Sequence, residues 1–332
     1  MSDPWAHVVS VSGGKDSTAT YLLAMERRER SGRQFTAVFA DTGNEHEWTY
    51  DFVRELAQKT GGPDPVWVKA DFTSDMERKR GFIARKWPLD GVPQHIVDRA
   101  VELLHPSGNP FLDLCMMKGR FPSSGRRFCT DELKIKPMFM AVQRPLLEAG
   151  RRLISWQGVR SEESLARRDL PMWQKLNPVP YSMPKAVKDL EAGWRAYAYR
   201  PLIAWKTQEV FDFHTKHGLA WNPLYDNGMS RVGCFPCIMV QKDELRNIAD
   251  KFPGEVNRIE EWERIVGEVA KRGVSSFFSH DKTPGAHVAD PSLPSPNVRR
   301  VVEWSRTSHG GKQFDLLLAD VGTACSTWGA CE

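Results

Sequence analysis

The chain has 332 residues, of which 41% are hydrophobic and 27% charged, with a formal net charge of +4. This composition is typical of a globular protein, and the length predicts one large or two modest domains. The net charge is too small to indicate nucleic-acid binding by itself, although it is compatible with small anionic substrates. No apolar run approaches the length of a membrane span, and the N-terminus lacks the basic and apolar regions of a signal peptide. We therefore expect a cytoplasmic protein that has no membrane partner.

The first predicted strand, residues 8–11, is followed at once by the glycine turn Ser12-Gly13-Gly14-Lys15-Asp16-Ser17 and then by apolar residues at helical spacing. Two adjacent glycines let the backbone come close to a ligand, and the N-terminus of the following helix attracts an anion. The hydroxyls of Ser12 and Ser17 and the ammonium group of Lys15 add hydrogen-bond donors. This stretch predicts a phosphate-binding turn that differs from the Walker A and GxGxxG patterns.

Further strands and helices alternate along the chain. The sequence predicts strands at 35–40, 66–69 and 153–156, and helices at 48–58, 207–217 and 256–272. Residues 170–200 contain four prolines and predict loop with short helices, and residues 280–298 are typical of a linker. The alternation predicts an α/β fold with a doubly wound, mostly parallel sheet.

We expect a nucleotide-binding domain over residues 1–240 and a helical extension with a flexible tail over residues 241–332. Residues 74–110 are typical of an insertion in which basic residues lie beside Trp87 and Pro88; these are Arg78, Lys79, Arg80, Arg85 and Lys86. Such a segment is either a surface that touches a phosphate backbone or an ordinary solvated helix face.

In a parallel sheet, ligands bind beyond the carboxyl ends of the strands. Three predicted strands end in polar or glycine-containing segments, which begin at Ser12, Asp41 and Gly158. We therefore expect these segments to face one crevice.

Six cysteines in a cytoplasmic chain indicate metal or redox chemistry rather than disulfides. Cys234 and Cys237 form a CxxC pair, Cys115 and Cys129 lie upstream, and Cys325 and Cys331 lie in the tail. The first four supply enough thiolates for tetrahedral zinc or for a [4Fe–4S] cluster, and their spacing does not separate the two.

From residue 8 to about 240 the chain resembles the phosphoadenosine phosphosulfate reductase family, within the PP-loop N-type ATP pyrophosphatases. Five blocks carry the resemblance in order. They are the PP-loop at 12–17, the strand-end DTG motif and helix at 39–56, the Cys–basic–Pro segment at 127–137, the Gly-x-Arg and Glu-Ser region at 158–168, and the Pro-Leu-x-x-Trp helix with closing CxxC at 201–237.

The resemblance implies a Rossmann-like fold and a set of site residues. Nucleotide-binding residues would be Ser12, Gly13, Gly14, Lys15, Asp16, Ser17, Asp41, Thr42, Gly43, Gly158 and Arg160. Substrate anions would be bound by Arg127, Lys134, Lys136 and Arg168. A [4Fe–4S] cluster, with zinc as the alternative, would be held by Cys129, Cys234 and Cys237, with Cys115 in place of a cysteine that the family has beside Cys129.

The resemblance also implies two reactions. In the first, ATP with Mg²⁺ is cleaved between its α and β phosphates, with Lys15, Asp16 and Asp41 as catalytic residues. The adenylated acceptor, a nucleic acid or a small molecule, then receives sulfur from a donor. The intact Ser12–Ser17 loop favours this reaction.

The second reaction is reduction of an activated sulfate to sulfite. In it, Cys331 is the nucleophile and a thioredoxin-like protein resolves the product. A third reading is a non-catalytic nucleotide sensor. The tail, with residues 309–312 at its base, is in addition a candidate lid over the nucleotide.

Overall fold

The computed structural model describes residues 4–188, 193–278 and 297–308. These residues form two compact units. The first, here called the sheet unit, consists of the residues up to Ala70 and of Thr130–Phe235. The second, the helical unit, consists of Asp71–Cys129 and of the described residues from Pro236 onwards. The predicted domain boundary near residue 240 stays a prediction, as does the insertion at 74–110.

The sheet unit contains six strands: β1 Trp5–Val11, β2 Thr36–Asp41, β3 Val66–Lys69, β4 Arg152–Trp156, β5 Trp173–Leu176 and β6 Ala196–Tyr199. Their order in the sheet is β3-β2-β1-β4-β6-β5. Every neighbouring pair is parallel except β5 and β6, which are antiparallel. The predicted α/β fold with a mostly parallel sheet is therefore confirmed.

The helices that the structure describes are α1 Lys15–Ser31, α2 Glu47–Thr60, α3 Thr73–Lys86, α4 Gln94–Leu103, α5 Pro110–Lys118, α6 Thr207–Lys216, α7 Lys242–Lys251, α8 Pro253–Glu268 and α9 Val298–Ser305. Short helical turns cover Pro88–Asp90, Ser161–Glu163, Leu165–Arg168 and Lys185–Lys188. A further helical segment alternates α-helix, at Phe128–Thr130, Lys136–Met138 and Arg144–Glu148, with π-helix, at Asp131–Ile135 and Phe139–Gln143. No described helix has the length and apolar character that crossing a membrane requires.

Both faces of the sheet are covered, because successive strand residues point to opposite sides. Val9, Phe39 and Trp156 belong to a core that also contains residues of α1, α2 and α6. Val8, Val38 and Leu153 belong to a second core, with Met138, Phe139 and Val142 of the α/π segment. The near-continuous apolar strands thus reflect burial on two sides.

The prediction of loop over residues 170–200 was wrong at two places, where β5 and β6 add an antiparallel edge to the sheet. The signal was present in the Ala-Tyr-Ala-Tyr alternation of β6, whose two alanines are buried. The surrounding prolines obscured it, because they lie in the connections rather than in the strands.

The strand order reverses direction at β1. From β1 the chain proceeds outward to β2 and β3, and it then returns to place β4 on the other side of β1. A crevice outside the carboxyl ends of β1 and β4 is the usual ligand site of such a sheet. The turn after β1 begins at Ser12, and the segment after β4 begins at Gln157.

The helical unit is stabilised by an aromatic cluster. Phe111 stacks on Trp262 with ring centroids 5.5 Å apart, and Phe121 and Phe277 pack beside them. The predicted linker lies mostly outside the described residues, apart from its last residues at the start of α9.

Candidate nucleotide site

The turn after β1 requires glycine for two reasons. Gly13 has a φ of +80°, and a Cβ at this position would lie 2.7 Å from Thr49 Cγ2. Gly14 occupies the N-cap position of α1 in extended conformation. The sequence therefore places the turn tightly against α2 and directs the first turn of a 17-residue helix towards the carboxyl end of β1.

The hydroxyls of Ser12 and Ser17 close the turn on itself. Ser12 N donates to Ser17 Oγ at 3.1 Å, and the two Oγ atoms lie 3.0 Å apart. Ser17 Oγ also donates to the carbonyl of Gly14 at 3.1 Å. The serines predicted as phosphate donors therefore also fix the shape of the turn.

Three residues that the sequence did not single out hold this turn from outside. Tyr225 OH accepts a hydrogen bond from Lys15 N at 2.9 Å. Asn222 Nδ2 donates to the carbonyl of Gly13 at 3.3 Å, and His214 Nε2 lies 2.8 Å from the carbonyl of Lys15. Because a carbonyl only accepts, His214 carries its proton on Nε2, and burial lowers the pKa of this imidazole.

Asp16 and Arg160, both predicted to bind nucleotide, are paired with each other instead of facing solvent. Arg160 Nε donates to Asp16 Oδ1 at 2.5 Å, and Lys15 Nζ lies 3.1 Å from Asp16 Oδ2. Asp16 is fully buried and Arg160 is 3% exposed. Asp16 does not fit the role of a Mg²⁺ ligand, because its two oxygens face the cations of the protein. In this structure both residues hold the turn to the segment after β4, and their predicted roles in nucleotide binding stay predictions.

Gly158 contributes through close packing. A Cβ on Gly158 would lie 2.8 Å from the backbone carbonyl carbon and oxygen of Asp16 and 2.8 Å from Ser17 N. The segment after β4 thus touches the first turn of α1 where only a glycine leaves room. Gly158 thus lies against the start of α1, and its predicted role in nucleotide binding stays a prediction.

The segment after β2 forms a second polar turn. Gly43 has a φ of +76°, and its N donates to Asp41 Oδ1 at 2.9 Å. The hydroxyl of Tyr50 donates to the same oxygen at 2.8 Å. Thr42 donates to Glu45 twice, from N at 3.1 Å and from Oγ1 at 2.6 Å. Glu45 is buried, which raises the pKa of its carboxyl, while Lys134 and Thr42 act in the opposite direction. Glu45 lay in a predicted motif but was not assigned a role.

Cys234 belongs to this turn. Glu45 and Cys234 form an isolated antiparallel bridge, and Phe235 N donates to the carbonyl of Asn44 at 2.5 Å. The Sγ of Cys234 lies 3.8 Å from Thr42 Oγ1. The family resemblance assigned Cys234 to a metal site, and it did not indicate that this cysteine lies at the end of β2.

A solvent-open cleft of about 430 Å³ lies between the two turns. Its polar lining comes from Ser10, Ser12, Ser17, Glu45 and Lys134, and its apolar lining from Val11, Phe39, Ala40 and Met138, with Gly233 at one side. The structure thus places one of the four predicted anion-binding residues, Lys134, at the cleft.

The other predicted anion-binding residues are placed differently. Lys136 Nζ forms an ion pair with Glu132 at 3.2 Å. Arg168 is exposed on a short helix of the sheet unit, and Arg127 belongs to the helical unit. Their predicted roles stay predictions.

Gln157 is a buried polar residue that the sequence analysis missed. It is fully buried, yet neither its Nε2 nor its Oε1 has a hydrogen-bond partner among the described residues. Its backbone N–H continues the ladder to Tyr199 O at 2.9 Å. Successive residues of a strand point to opposite faces of the sheet, so Gln157 lies on the same face as Leu153. Val8 and Ser10 of β1 also point to this face. Gln157 directly follows β4 at the carboxyl edge of the sheet, next to Gly158.

The four cysteines predicted as metal ligands divide between the two units: Cys234 belongs to the sheet unit, and Cys115, Cys129 and Cys237 belong to the helical unit. Cys115 is completely buried, and burial together with the neighbouring Cys129 raises the pKa of its thiol well above the ordinary value. A metal that binds a thiol displaces its proton, so the ligand role of Cys115 stays a prediction. Nowhere in the described ranges do three Cys, His, Asp or Glu side chains group as a metal site requires. Cys325 and Cys331 lie outside the described residues, as does the candidate lid.

The strand order defines a doubly wound α/β protein, and the predicted phosphate-binding turn lies at its topological switch point. Residues 6–99 and 116–240 match the phosphoadenosine phosphosulfate reductase domain, so the chain belongs to this family. The predicted family is thereby confirmed.

Individual relatives are less informative about activity. The chain is 41% identical over 341 residues to an uncharacterised 37.8 kDa protein of Escherichia phage 186, which covers 98% of this chain and 96% of the relative. It is 35% identical over 91 residues to the adenosine 5'-phosphosulfate reductase of Staphylococcus haemolyticus, and this alignment covers 27% of this chain and 27% of the relative. Among solved structures, the chain aligns with the crystal structure of a phosphoadenylyl-sulfate reductase from Candida auris in a phosphate complex. The TM-score is 0.38 and the sequence identity is 17%. The alignment covers 71% of this chain and 83% of that one.

Proposed function

We propose that this protein is an enzyme that binds ATP at the Ser12–Ser17 turn and cleaves it between the α and β phosphates. The observation that carries the proposal is the built turn itself. Two glycines, two hydroxyls and a lysine lie at the N-terminus of α1, and Tyr225, Asn222 and His214 hold the turn in shape. A preorganised set of donors costs little reorganisation when charge develops on a leaving group.

Anion-binding groups at the turn support this assignment. Among the described residues, none accepts a hydrogen bond from the backbone N–H of Gly13 or Asp16. The dipole of α1 adds a partial positive charge at the same place. Tyr225 OH, which accepts from Lys15 N, occupies a position that a phosphate oxygen could take. We propose that ATP displaces this hydroxyl and that the Lys15 ammonium, 5.2 Å from the Tyr225 ring centroid, follows the phosphate.

The reaction is a substitution at phosphorus. An oxygen of the acceptor forms a bond to the α phosphorus, the bond from that phosphorus to the bridging oxygen breaks, and pyrophosphate leaves with the electron pair. ATP enters as its Mg²⁺ complex. Asp41, whose side chain is 21% exposed at the end of β2, is the carboxylate we assign to contact that ion, since Asp16 is enclosed.

We extend the proposal to sulfur chemistry. A carbon that carries an adenylated oxygen is open to substitution by hydrosulfide: the C–S bond forms, the C–O bond breaks, and AMP leaves. The position of Cys234 beside the turn after β2 supports sulfur handling in the sheet unit. Cys115, Cys129, Cys234 and Cys237 are the residues we propose would hold an iron–sulfur cluster or zinc, and no step is assigned to that group.

The experiment is incubation of the full chain with ATP labelled at the α or at the γ phosphate, with nucleic-acid and small-molecule acceptors and with and without sulfide, followed by separation of AMP and pyrophosphate. Lys15→Ala should abolish cleavage. The matched control is Lys59→Ala, which removes an exposed lysine paired with Glu55 on α2 and should leave the rate unchanged. ATP binding without cleavage by the wild type under all conditions would contradict the proposal and favour a nucleotide sensor.

A second candidate function is reduction of adenylyl sulfate, and the partial similarity to an adenosine 5'-phosphosulfate reductase is the observation that favours it. In this case a thiolate attacks the sulfur, the S–O bond to AMP breaks, and a dithiol protein then releases sulfite. Sulfite production from adenylyl sulfate with a thioredoxin, lost in Cys331→Ser, would establish this reaction. The ATP cleavage assay would then be negative.

A further inference from the structure

Outside the nucleotide site, basic and aromatic side chains group on the helical unit. Helices α3 and α5 pack against each other there. We call the group formed by Lys79 and Phe82 of α3, Lys118 of α5, and Arg120 and Phe128 after it the basic–aromatic surface. Phe82 is 46% exposed, an unusual fraction for a phenylalanine, and Lys118 and Arg120 are exposed.

Each ring of this surface has a cation next to it. Lys79 Nζ lies 5.2 Å from the ring centroid of Phe82, which is three residues further along the same helix face. Lys118 Nζ and Arg120 Cζ lie 5.9 Å and 6.0 Å from the ring centroid of Phe128. These distances are within the range of cation–π contacts. Lys118 also lies close enough to Lys79 to act on its charge, so the two ring–cation groups are neighbours.

The surface is poor in carboxylates. Residues 114–130 contain four basic residues and no Asp or Glu. Asp113, the nearest acidic residue before them, accepts from Ser107 N at 2.7 Å and from Ser107 Oγ at 2.6 Å. Lys79 has no carboxylate within ion-pair distance in the part of the chain that the structure describes. Burial and the neighbouring Lys118 lower the pKa of Lys79, as expected for two ammonium groups held near each other.

Other basic residues of the helical unit differ in this respect. Arg78 pairs with Asp75, Lys86 with Asp90, and Arg99 with both Glu102 and Glu268. Of the basic segment predicted from the sequence, Arg78 and Lys86 are therefore neutralised by carboxylates of the protein, whereas Lys79 is not. Arg80 donates to the carbonyl of Val101 instead of a carboxylate. A positive region of this kind fits an anionic partner.

From this arrangement we propose that the basic–aromatic surface binds single-stranded nucleic acid. The cations would contact successive phosphates, and the exposed ring of Phe82 and the ring of Phe128 would stack on bases. Stacking on aromatic side chains beside a basic groove is how proteins bind single strands without sequence preference. An acidic peptide would use the charges but would leave the rings without a planar partner. The proposal does not depend on ATP cleavage.

The test is fluorescence anisotropy of the full-length protein with a fluorescein-labelled thymidine 20-mer, between 50 and 200 mM salt. A triple variant combines Lys79→Gln, Lys118→Gln and Arg120→Gln. It should weaken binding at least about tenfold. It should also reduce the slope of log Kd against log salt by about 2, the value for three phosphate contacts. The matched control removes three charges that are paired with carboxylates in the same unit, by Arg246→Gln, Arg264→Gln and Arg299→Gln. It should bind as the wild type does.

A second variant, Phe82→Ala, should weaken binding about tenfold without changing the salt slope. Circular dichroism checks that each variant is folded, and if the triple variant is not, Lys79→Gln and Arg120→Gln are measured singly. Equal losses in the triple variant and its control would overturn the proposal. So would competition by polyglutamate as strong as that by unlabelled DNA, since the surface would then recognise any polyanion. ATP cleavage without nucleic acid should be the same in the triple variant and the wild type, which separates this proposal from the proposed function.

Discussion

Arg160 and Asp16 form a buried ion pair that joins the segment after β4 to the first turn of α1. The Nε of Arg160 donates to Asp16 Oδ1 at 2.5 Å, and both residues are almost without solvent exposure. The residues are 144 positions apart in the chain. The pair therefore fixes the two sides of the topological switch point to each other.

Removing one partner of this pair should be costly. Asp16→Asn leaves the guanidinium of Arg160 buried, with the carboxylates of Glu163 and Glu162 as its remaining counter-charges. We expect a decrease in the free energy of unfolding of about 3–5 kcal/mol, measured by urea denaturation. The control is Asp75→Asn, which breaks an exposed pair with Arg78 and should cost at most about 1 kcal/mol. Similar small effects for both variants would show that the buried pair does not stabilise the switch point.

Gly158→Ala should disturb the same junction by packing alone. The added Cβ would lie 2.8 Å from backbone atoms of Asp16 and Ser17, so the start of α1 has to move. We expect a loss of about 1–3 kcal/mol in stability and weaker ATP binding, measured by urea denaturation and by calorimetry. Gly254→Ala in the first turn of α8 is the matched control, since a Cβ there meets nothing within 4 Å. ATP affinity equal to that of the wild type in Gly158→Ala would contradict the placement of the phosphates at this turn.

These contacts also show how far sequence reasoning reaches. The turn Ser12–Ser17 was predictable because its strand, glycines and helix are adjacent in the chain. Tyr225 and Asn222, which hold the turn, lie more than 200 residues away from it, and no local pattern assigns them to it. The residue types of Asp16 and Arg160 indicated ligand binding, but burial and pairing decide their role, and neither is visible in one sequence.

The edge of the sheet and the cysteines illustrate the same limit. The four-residue strands β5 and β6 are stabilised by pairing with each other, so their local signal was weak. Cys115 was assigned by counting thiols, whereas its complete burial in α5 is a property of helix packing. Periodicity predicted the central strands well, because burial on both faces produces long apolar runs.

Glu263 should make the stability of the protein depend on pH. Its oxygens accept hydrogen bonds from Phe277 N at 2.7 Å and Val298 N at 2.8 Å within the helical unit. Burial raises the pKa of Glu263 to about 7, from 4.5 in the unfolded chain. Between these values the folded protein holds a proton that the unfolded chain has lost, so stability decreases as the pH rises from 4.5 through 7.

The loss over this pH range should be on the order of 3 kcal/mol, measured by urea denaturation of the wild type at several pH values. Glu263→Gln, which resembles the neutral acid, should flatten the dependence. Glu261→Gln removes a carboxylate whose pKa is lowered by Arg264 and should leave the decrease between pH 4.5 and 7 in place. A wild type whose stability rises over this range would contradict the assignment.

Gln157 gives the most direct test of ligand contact at the crevice. Its amide is buried and has no hydrogen-bond partner among the described residues, which is unfavourable for the protein alone. We expect Gln157→Ala to weaken ATP binding about tenfold, the value of one well-placed hydrogen bond to a charged ligand, while the free energy of unfolding stays the same or rises. A purely structural glutamine would lose stability instead. The matched control is Gln143→Ala, since Gln143 is also buried in the sheet unit with an unpartnered Oε1, and its ATP affinity should stay within about twofold of the wild type. Equal affinities in the two variants would show that the nucleotide does not use the amide of Gln157.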